Sequence, residues 1–467
     1  MKRTLIICVS LLLIVFAFVA CDTKNGGNTK ETTVETSVET TIETTVETSV
    51  ETTIETTEET TEETTEGTTE GTIEETTKAH SLRFDFDGDN HWQVCEDCGE
   101  TTAKEPHNVG DDGYCVICNQ PLRATEGILY RPSSDGTYAE VVDYIGTARR
   151  VVIADEYDGL PVKSVYDGAF YNKDITTVYI PDSVTHIGMN AFRGCCELTS
   201  VTIGKGVASI YLDAFWDCYM LTSITVHEDN ANYKSIDGNL YSKDGKTFIR
   251  YAIGKGDTSF NIPDSVTNIS DFAFDACESL KSVTIPESVT SIGLCAFSCC
   301  WGLECITVDE DNAYYKSENG NLYSKDGKTL IQYAIGKPDT SFAIPENVTS
   351  IGKYAFNYCD ILTSVTIPES VTSIGDHAFD LCTELTSITI PDSVTKIERG
   401  TFFGCKNLTS VTIGKGVTSI DDDAFAHCKN IETVYYTGTE AQWSEISIDP
   451  QNWEILVANI IYDYIPE

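Results

Sequence analysis

The stretch "TSVTIPESVTSIGDHAFDLC", residues 363–382, recurs with small changes along most of the chain. Phe356, Phe379 and Phe402, each the Phe of an "AF"-like pair, lie 23 residues apart. The full set of these residues is Phe170, Phe192, Phe215, Phe274, Phe297, Phe356, Phe379, Phe402 and Phe425. A fixed period of this length is typical of a solenoid, in which each coil buries its apolar side only against neighbouring coils.

Alternation within the repeated unit indicates where its side chains point. Val365 and Ile367 point inward from a short strand, so Ser364 and Thr366 point outward. The apolar positions keep neither a helical nor a strand period for long, as expected for one turn of a coil. The sequence therefore predicts a mainly β repeat solenoid over residues 125–467, with coils of about 23 residues.

Two matching inserts interrupt the period, at about residues 227–262 and 309–344. Both contain "LYSKDGKT", in which Asp-Gly between β-prone flanks predicts a hairpin. We expect each insert to be a β-hairpin that projects aromatic side chains. The tyrosines concerned are Tyr233, Tyr241, Tyr314, Tyr315 and Tyr323.

The signature "IPxSVTSIGxxAFxxC", repeated from about Tyr157 to Ile431, resembles the BspA-type leucine-rich repeat of bacterial surface proteins. The opening "AEVVDYIGTARRVVIADEYDGLPVKSVYDGAF" and the tail, a C-terminal cap at about 431–467, also resemble that family's end pieces. The resemblance implies a surface protein that binds host matrix proteins or other cells.

Eight of the nine Phe residues are followed three positions later by a cysteine, a row called here the cysteine ladder. It comprises Cys195, Cys218, Cys277, Cys300, Cys359, Cys382, Cys405 and Cys428. We expect buried free thiols, because side chains stacked in parallel fit disulfide geometry poorly; disulfides between coils are the alternative. Four cysteines lie off the ladder and are expected to be more reactive: Cys196, Cys295, Cys299 and Cys305.

Outward strand positions form two hydroxyl columns. The first comprises Thr177, Ser200, Ser223, Ser282, Cys305, Ser364, Ser387 and Ser410. The second comprises Tyr179, Thr202, Thr225, Thr284, Thr307, Thr366, Thr389 and Thr412. They predict a face that meets a protein or glycan, with specificity at departures such as Tyr179, Cys305 and His227; β-propensity and solubility alone are the alternative explanation.

Residues 1–21 have the pattern of an export signal, in which a charged start precedes a short apolar run ending at Cys21. The ending "FVAC" resembles a bacterial lipoprotein signal, which implies that Cys21 is lipidated and attaches the chain to the outer face of a membrane. The alternative is an ordinary cleaved secretory signal. Residues 22–79 are rich in Thr and Glu and lack aromatic residues, which predicts a disordered, extended stalk.

Residues 80–124 contain two CxxC pairs, formed by Cys95 with Cys98 and Cys115 with Cys118. Two such pairs supply the four thiolates that structural zinc favours. His91 and His107 are substitute ligands in a mixed site. The segment resembles small zinc-binding modules beside repeats in bacterial surface proteins; two disulfides, or a redox or iron site, are the alternatives.

Composition narrows the function. The net charge of −42 excludes nucleic acid as a partner and leaves lipid attachment as the means of membrane contact. No nucleophile, base and orienting group occur together in the sequence, so we do not expect an enzyme. Two functions remain: an adhesin-like binding protein, or a structural or glycan-capturing envelope component without a dedicated protein partner.

The zinc module is testable by metal analysis of residues 80–124. We expect one zinc ion per chain, because four thiolates in two pairs form a closed tetrahedral site. Replacing Cys95 and Cys98 by Ser removes half of these ligands and should abolish zinc retention. Metal-free protein with oxidised thiols would establish disulfides instead.

Overall fold

The computed structural model describes residues 82–86, 90–95, 101–106 and 123–466. The chain divides into two units, residues 1–77 and 78–467. The predicted signal with Cys21, and the predicted stalk at 22–79, lie outside the described residues. No helix in the described ranges combines the length and apolar character needed to cross a bilayer.

The first described strands form an antiparallel sheet. It comprises β1 (Leu82–Phe86), β2 (Asn90–Cys95) and β3 (Glu105–Pro106), numbered in chain order. The solenoid then begins with β4 (Ile128–Pro132), β5 (Ala139–Tyr144), β6 (Arg150–Val152), β7 (Glu156–Tyr157) and β8 (Leu160–Val165). Strands β4 and β5 pair antiparallel, and β5 pairs parallel with β8, so this segment leads into the coils.

Each regular coil contributes one longer and one shorter strand, and equivalent strands stack in parallel. The longer strands are β9 (Thr177–Ile180), β11 (Ser200–Ile203), β13 (Ser223–Val226), β17 (Ser259–Asn261), β19 (Ser282–Ile285), β21 (Cys305–Val308), β25 (Ser341–Ala343), β27 (Ser364–Thr366), β29 (Ser387–Ile390), β31 (Ser410–Ile413), β33 (Thr433–Tyr436) and β35 (Asn459–Ile461). The shorter strands are β10 (His186–Ile187), β12 (Ser209–Ile210), β18 (Asn268–Ile269), β20 (Ser291–Ile292), β26 (Ser350–Ile351), β28 (Ser373–Ile374), β30 (Lys396–Ile397), β32 (Ser419–Ile420) and β34 (Ser447–Ile448). This confirms the predicted β solenoid.

The core is a stack of phenylalanine rings. Phe356, Phe379 and Phe402 are fully buried, with ring centroids 4.7 and 5.3 Å apart and interplanar angles of 7° and 10°. These centroid distances are close to the separation of paired strands. The stacking of the phenylalanine rings therefore follows directly from the backbone pairing. All nine repeated phenylalanines are core residues, as the repeat predicts.

Each insert forms a three-stranded antiparallel meander. The first contains β14 (Tyr233–Ile236), β15 (Asn239–Ser242) and β16 (Thr247–Arg250), followed by a 3-10 turn at Ile253–Lys255. The second contains β22 (Tyr315–Glu318), β23 (Asn321–Ser324) and β24 (Thr329–Gln332).

An insert is more than the projecting hairpin predicted from sequence. Strand β16 pairs in parallel with β18 of the next coil, and Phe248 stacks on Phe274 at 4.7 Å. Backbone Ile224 N donates to Gly238 O at 2.8 Å, so the meander also covers the edge of β13. The insert thus supplies a coil of its own, and the buried core divides into three blocks at residues 240/241 and 322/323.

The C-terminal segment carries one-turn helices at Glu440–Trp443 and Trp453–Leu456. Thr439 caps the first of them: its hydroxyl accepts from Gln442 N, while Gln442 Oε1 accepts from Thr439 N. Trp443 is buried and lies 5.2 Å from the ring of Tyr436. This segment therefore covers the last regular coil.

Truncating one ring of the phenylalanine stack tests how much the stack contributes to stability. Phe379→Ala should lower the free energy of unfolding by about 3–5 kcal/mol, because it removes a fully buried ring and leaves a cavity. Leu294→Ala, at a side chain that is 50% exposed, should change it by about 0.5 kcal/mol or less. Urea unfolding followed by intrinsic fluorescence measures both; equal losses would contradict the stacked core.

Candidate binding face

Strand pairing brings the predicted hydroxyl columns together within each block. Ser200 lies opposite Ser223, and Thr202 opposite Thr225, in one sheet. The same register aligns Ser387 with Ser410 in the C-terminal block. Because the sheet of longer strands breaks at both inserts, the columns form three segments rather than one continuous face.

A third row, one position before the first column, is a threonine ladder that uses up its own hydroxyls. Each Oγ1 donates to the backbone carbonyl of the equivalent threonine in the preceding coil, at 2.9–3.2 Å. These bonds are Thr199 to Thr176, Thr222 to Thr199, Thr363 to Thr340, Thr386 to Thr363 and Thr409 to Thr386. These five hydroxyls therefore hold adjacent coils together and have no donor left for a ligand.

Hydroxyls of the two predicted columns are different. Within the described part of the chain, Ser364, Ser387 and Thr389 are exposed and their side chains form no hydrogen bond. In the described part of the chain, the hydroxyls of Ser223 and Thr225 hydrogen-bond only to each other, at 3.4 Å. At their exposed positions the columns therefore display unused donors and acceptors to solvent, whereas Thr177 Oγ1 of the first column is buried and has no hydrogen-bond partner in the described part of the chain.

The prediction fails at the C-terminal end of the second column. Thr412 is only 8% exposed, because the next strand places Tyr435 opposite it. The Tyr435 ring packs on Tyr464, at a centroid distance of 4.5 Å. The sequence signal is "VYY" at residues 434–436, where other coils have "VTI".

Two of the three predicted departures lie in the columns. Tyr179 aligns with Thr202, and Cys305 aligns with Ser282. His227 follows β13 and lies outside both columns, with its Nδ1 accepting from Asp229 N at 3.1 Å.

The insert tyrosines mostly face inward, contrary to expectation. Tyr241 and Tyr323 are 1% and 2% exposed, because they lie on the core side of the meander strands. Tyr233 is half-buried, and its hydroxyl accepts from Ile210 N at 3.2 Å. Tyr315 is likewise half-buried, whereas Tyr314 is 54% exposed.

The ladder cysteines are free thiols, and Sγ of six of the eight lies within hydrogen-bond distance of a backbone carbonyl of the preceding coil. Cys382 Sγ lies 3.2 Å from Phe356 O of the preceding coil, and Cys428 Sγ lies 2.9 Å from Phe402 O. Burial raises the pKa of Cys195 to about 12 and the pKa of Cys382 above its ordinary value. These thiols pack as small core residues.

Among the cysteines off the ladder, two contradict the expected reactivity. Burial raises the pKa of Cys295 to about 12 and the pKa of Cys299 well above its ordinary value. Neither supplies thiolate at neutral pH. Cys196 and Cys305 are half-exposed, and Cys305 Sγ lies 3.6 Å from Thr307 Oγ1.

Only part of the predicted metal site is described. His91 and Cys95 belong to β2, whereas Cys98, His107, Cys115 and Cys118 lie outside the described residues. In the described ranges, no three His, Cys, Asp or Glu side chains are grouped as metal ligands. The zinc site stays a prediction.

Alkylation rates distinguish the buried thiols of the cysteine ladder from the more accessible thiol of Cys305. With iodoacetamide at pH 8, Cys305 of the folded chain should be modified at least about ten times faster than Cys382, which is buried and bonded to backbone. Mass spectrometry of timed digests measures both rates, and urea-unfolded protein is the control in which they converge. Equally fast modification of Cys382 in the folded chain would contradict the ladder.

This chain is similar to several solved structures. The leucine rich cell surface protein of Faecalibacterium prausnitzii A2-165 is 29% identical, with a TM-score of 0.43, over 70% of this chain and 97% of that one. A leucine-rich repeat protein of Eubacterium ventriosum is 25% identical, with a TM-score of 0.41, over 68% and 84%. The pneumococcal vaccine antigen PcpA is 18% identical, with a TM-score of 0.37, over 83% and 100%.

A search of curated proteins gave no match. The family model "BspA type Leucine rich repeat region" matches six copies, at residues 163–247, 255–322 and 336–447, which together exceed half of the chain. The same repeats place the phenylalanine stack and the hydroxyl columns described above. This chain belongs to the BspA-type leucine-rich-repeat family of bacterial cell-surface proteins.

Proposed function

We propose that this protein is a non-enzymatic, adhesin-like surface protein that binds a host matrix protein, a cell-surface protein or a glycan. Binding uses the hydroxyl columns of the longer strands. The observation that carries the proposal is the contrast between neighbouring rows: threonine hydroxyls such as that of Thr386 are bonded within the solenoid, whereas those of Ser387 and Thr389 are unpaired. The unpaired hydroxyls form no hydrogen bond within the solenoid, so they do not stabilise the fold and are available to a ligand.

Unpaired hydroxyls at regular spacing suit a ligand held by many weak contacts. Each net hydrogen bond contributes about 0.5–1.5 kcal/mol, so several coils must contribute to useful affinity. Tyr179 and Cys305 interrupt the columns with different chemistry, and they are the positions where one ligand is distinguished from another. The repeat supplies area, and its exceptions supply specificity.

A second function is a structural or glycan-capturing envelope component without a dedicated protein partner. The observation that favours it is Tyr314 on the second insert, whose ring is 54% exposed beside Tyr315. An exposed ring is a stacking surface for the apolar face of a sugar. In this case the inserts, rather than the columns, carry binding.

The N-terminal segments complete the proposal. Cys21, preceded by an apolar run, supports a lipid anchor on the outer face of a bacterial membrane. The Thr/Glu-rich stalk separates the solenoid from that anchor. In the module that follows, Cys95, Cys98, Cys115 and Cys118 fit a structural zinc ion, since two CxxC pairs are a donor set that zinc prefers.

Charge at the columns tests where binding occurs. In a screen of the full chain against matrix proteins and glycan arrays, Ser387→Glu combined with Thr389→Glu should weaken binding of a hit at least about tenfold. The physical reason is that two carboxylates replace exposed hydroxyls in the middle of the C-terminal segment of the face. Surface plasmon resonance measures the dissociation constants.

The control is Ser373→Glu, which places one carboxylate at an exposed serine of the shorter-strand stack. It should leave the dissociation constant within about twofold. Equal weakening by both changes would indicate a general charge effect, and loss only on Tyr314→Ala would favour the insert-based glycan function.

A further inference from the structure

The junction after the first insert contains a buried carboxylate. Asp275 directly follows Phe274 of the phenylalanine stack and is 1% exposed. Trp216 Nε1 donates to Asp275 Oδ2, which connects the coil before the insert to the coil after it, 59 residues later. Asp275 therefore joins the two coils on either side of the first insert.

A buried arginine of the insert acts electrostatically on this carboxylate. Arg250, the last residue of β16, is 4% exposed, and its Nη1 donates to Phe272 O at 2.8 Å. Its Nη2 has no hydrogen-bond partner in the described part of the chain. Arg250 favours the charged form of Asp275, yet the two form no ion pair within 4 Å. When Asp275 is ionised, it and Arg250 are thus opposite charges buried without the direct contact that compensates desolvation.

The remaining charged groups belong to the coil before the insert. Asp217 opposes ionisation of Asp275, and it is itself paired with Arg193 at 3.1 Å. The Arg193 guanidinium lies 4.6 Å from the centre of the Trp216 ring. The preceding coil therefore contributes a carboxylate whose charge is already compensated.

The coils after Asp275 contribute groups that stay neutral. Cys295, Cys299 and Tyr358 lie near the carboxylate, and burial raises the pKa of each. Burial raises the pKa of Cys300 of the cysteine ladder well above its ordinary value, and the charge of Asp275 raises it further. None of these four groups changes charge between pH 4 and 8.

The second insert repeats this junction without charges. Gln332 of β24 takes the position of Arg250, and Asn357 takes the position of Asp275. Ser298 Oγ donates to Asn357 Oδ1 at 2.8 Å, again between coils 59 residues apart. The chain thus contains a charged and a neutral version of one structural element, so the charges of the first are not required by the fold.

We propose that Asp275 is a pH-sensitive latch, which keeps the junction at the first insert closed when protonated and lets it open more readily when ionised. Opening the junction hydrates Asp275 and lets it lose its proton. The second insert, with Asn357, has no such dependence.

The direction of the effect follows from proton linkage. Burial raises the pKa of Asp275 to about 7 in the folded chain, whereas an exposed aspartate titrates near 3.9. Between these values the closed junction holds a proton that the open junction releases. Stability of the closed state is therefore fully present below about pH 4 and is lost as the pH rises through about 7.

Hydrogen exchange of the full chain tests the latch, with the second insert as an internal control. Opening equilibria of residues 239–256 and 321–338 are measured from pH 5 to 8 and corrected for intrinsic exchange. We expect opening of the first insert to increase up to about tenfold per pH unit from pH 5 to 7, the limit for release of one proton, and to level off above. Opening of the second insert should change less than about twofold.

Substitutions separate the latch from other titrations. Asp275→Asn should abolish the pH dependence of the first insert, and Asn357→Asp with Gln332→Arg should create one in the second. Histidines also change charge near neutral pH, and the first insert begins with His227. His227→Gln should leave the dependence unchanged.

Three results would overturn the proposal. The first is an equal pH dependence of the two inserts in the natural chain. The second is a dependence that persists in Asp275→Asn or disappears in His227→Gln. The third is no dependence of the first insert at all, which would show that Arg250 keeps Asp275 ionised throughout this range.

Discussion

Everything in this solenoid depends on parallel pairing between coils, because no coil buries its own apolar residues. Pairing sets the separation of equivalent backbone atoms at about 4.8 Å. The rings of Phe356 and Phe379 stack at 4.7 Å, and the thiol of Cys382 reaches the carbonyl of Phe356. A cysteine suits this position because it is small, tolerates burial and donates weakly to a carbonyl that already accepts a backbone hydrogen bond within its own coil. The same spacing repeats the hydroxyls on the outer side of the strands.

The inserts show how a solenoid accepts 36 extra residues without losing this continuity. Each insert supplies its own strand and its own ring, Phe248 beside Phe274 in the first and Tyr333 beside Phe356 in the second, so the stack resumes directly. The cost is polar burial. Asn239 and Asn321 are fully buried, and the Nδ2 of each lacks a hydrogen-bond partner in the described chain. Desolvated polar groups of this kind are expensive, which makes the two junctions the places where the three core blocks separate most easily.

Sequence reasoning succeeded where a property repeats with the coil. The period placed Phe379 and Cys382 in the core, and strand alternation placed Ser387 and Thr389 outside. These features depend on one residue and its equivalents, so a single unit is enough to predict them.

The errors arose where the deciding neighbour lies outside the period. Tyr241 is buried because the meander folds back on the core, and Thr412 is covered because Tyr435 replaces a threonine one coil later. Likewise, nothing in the repeat sequence distinguishes the hydrogen-bonded hydroxyl of Thr386 from the unpaired hydroxyl of Thr389, since both are outward threonines. That difference depends on which backbone carbonyl each side chain reaches, a fact of three dimensions.

The same distinction separates stability from recognition on one surface. A hydroxyl bonded to the next coil contributes to folding and is lost to a ligand, whereas an unpaired hydroxyl contributes to neither until something binds. Thr363, Thr386 and Thr409 belong to the first kind. Adjacent rows of one residue type thus perform different tasks, and a substitution scan that treats the threonines as equivalent would mix the two effects. Comparing unfolding with binding, row by row, is the way to separate them.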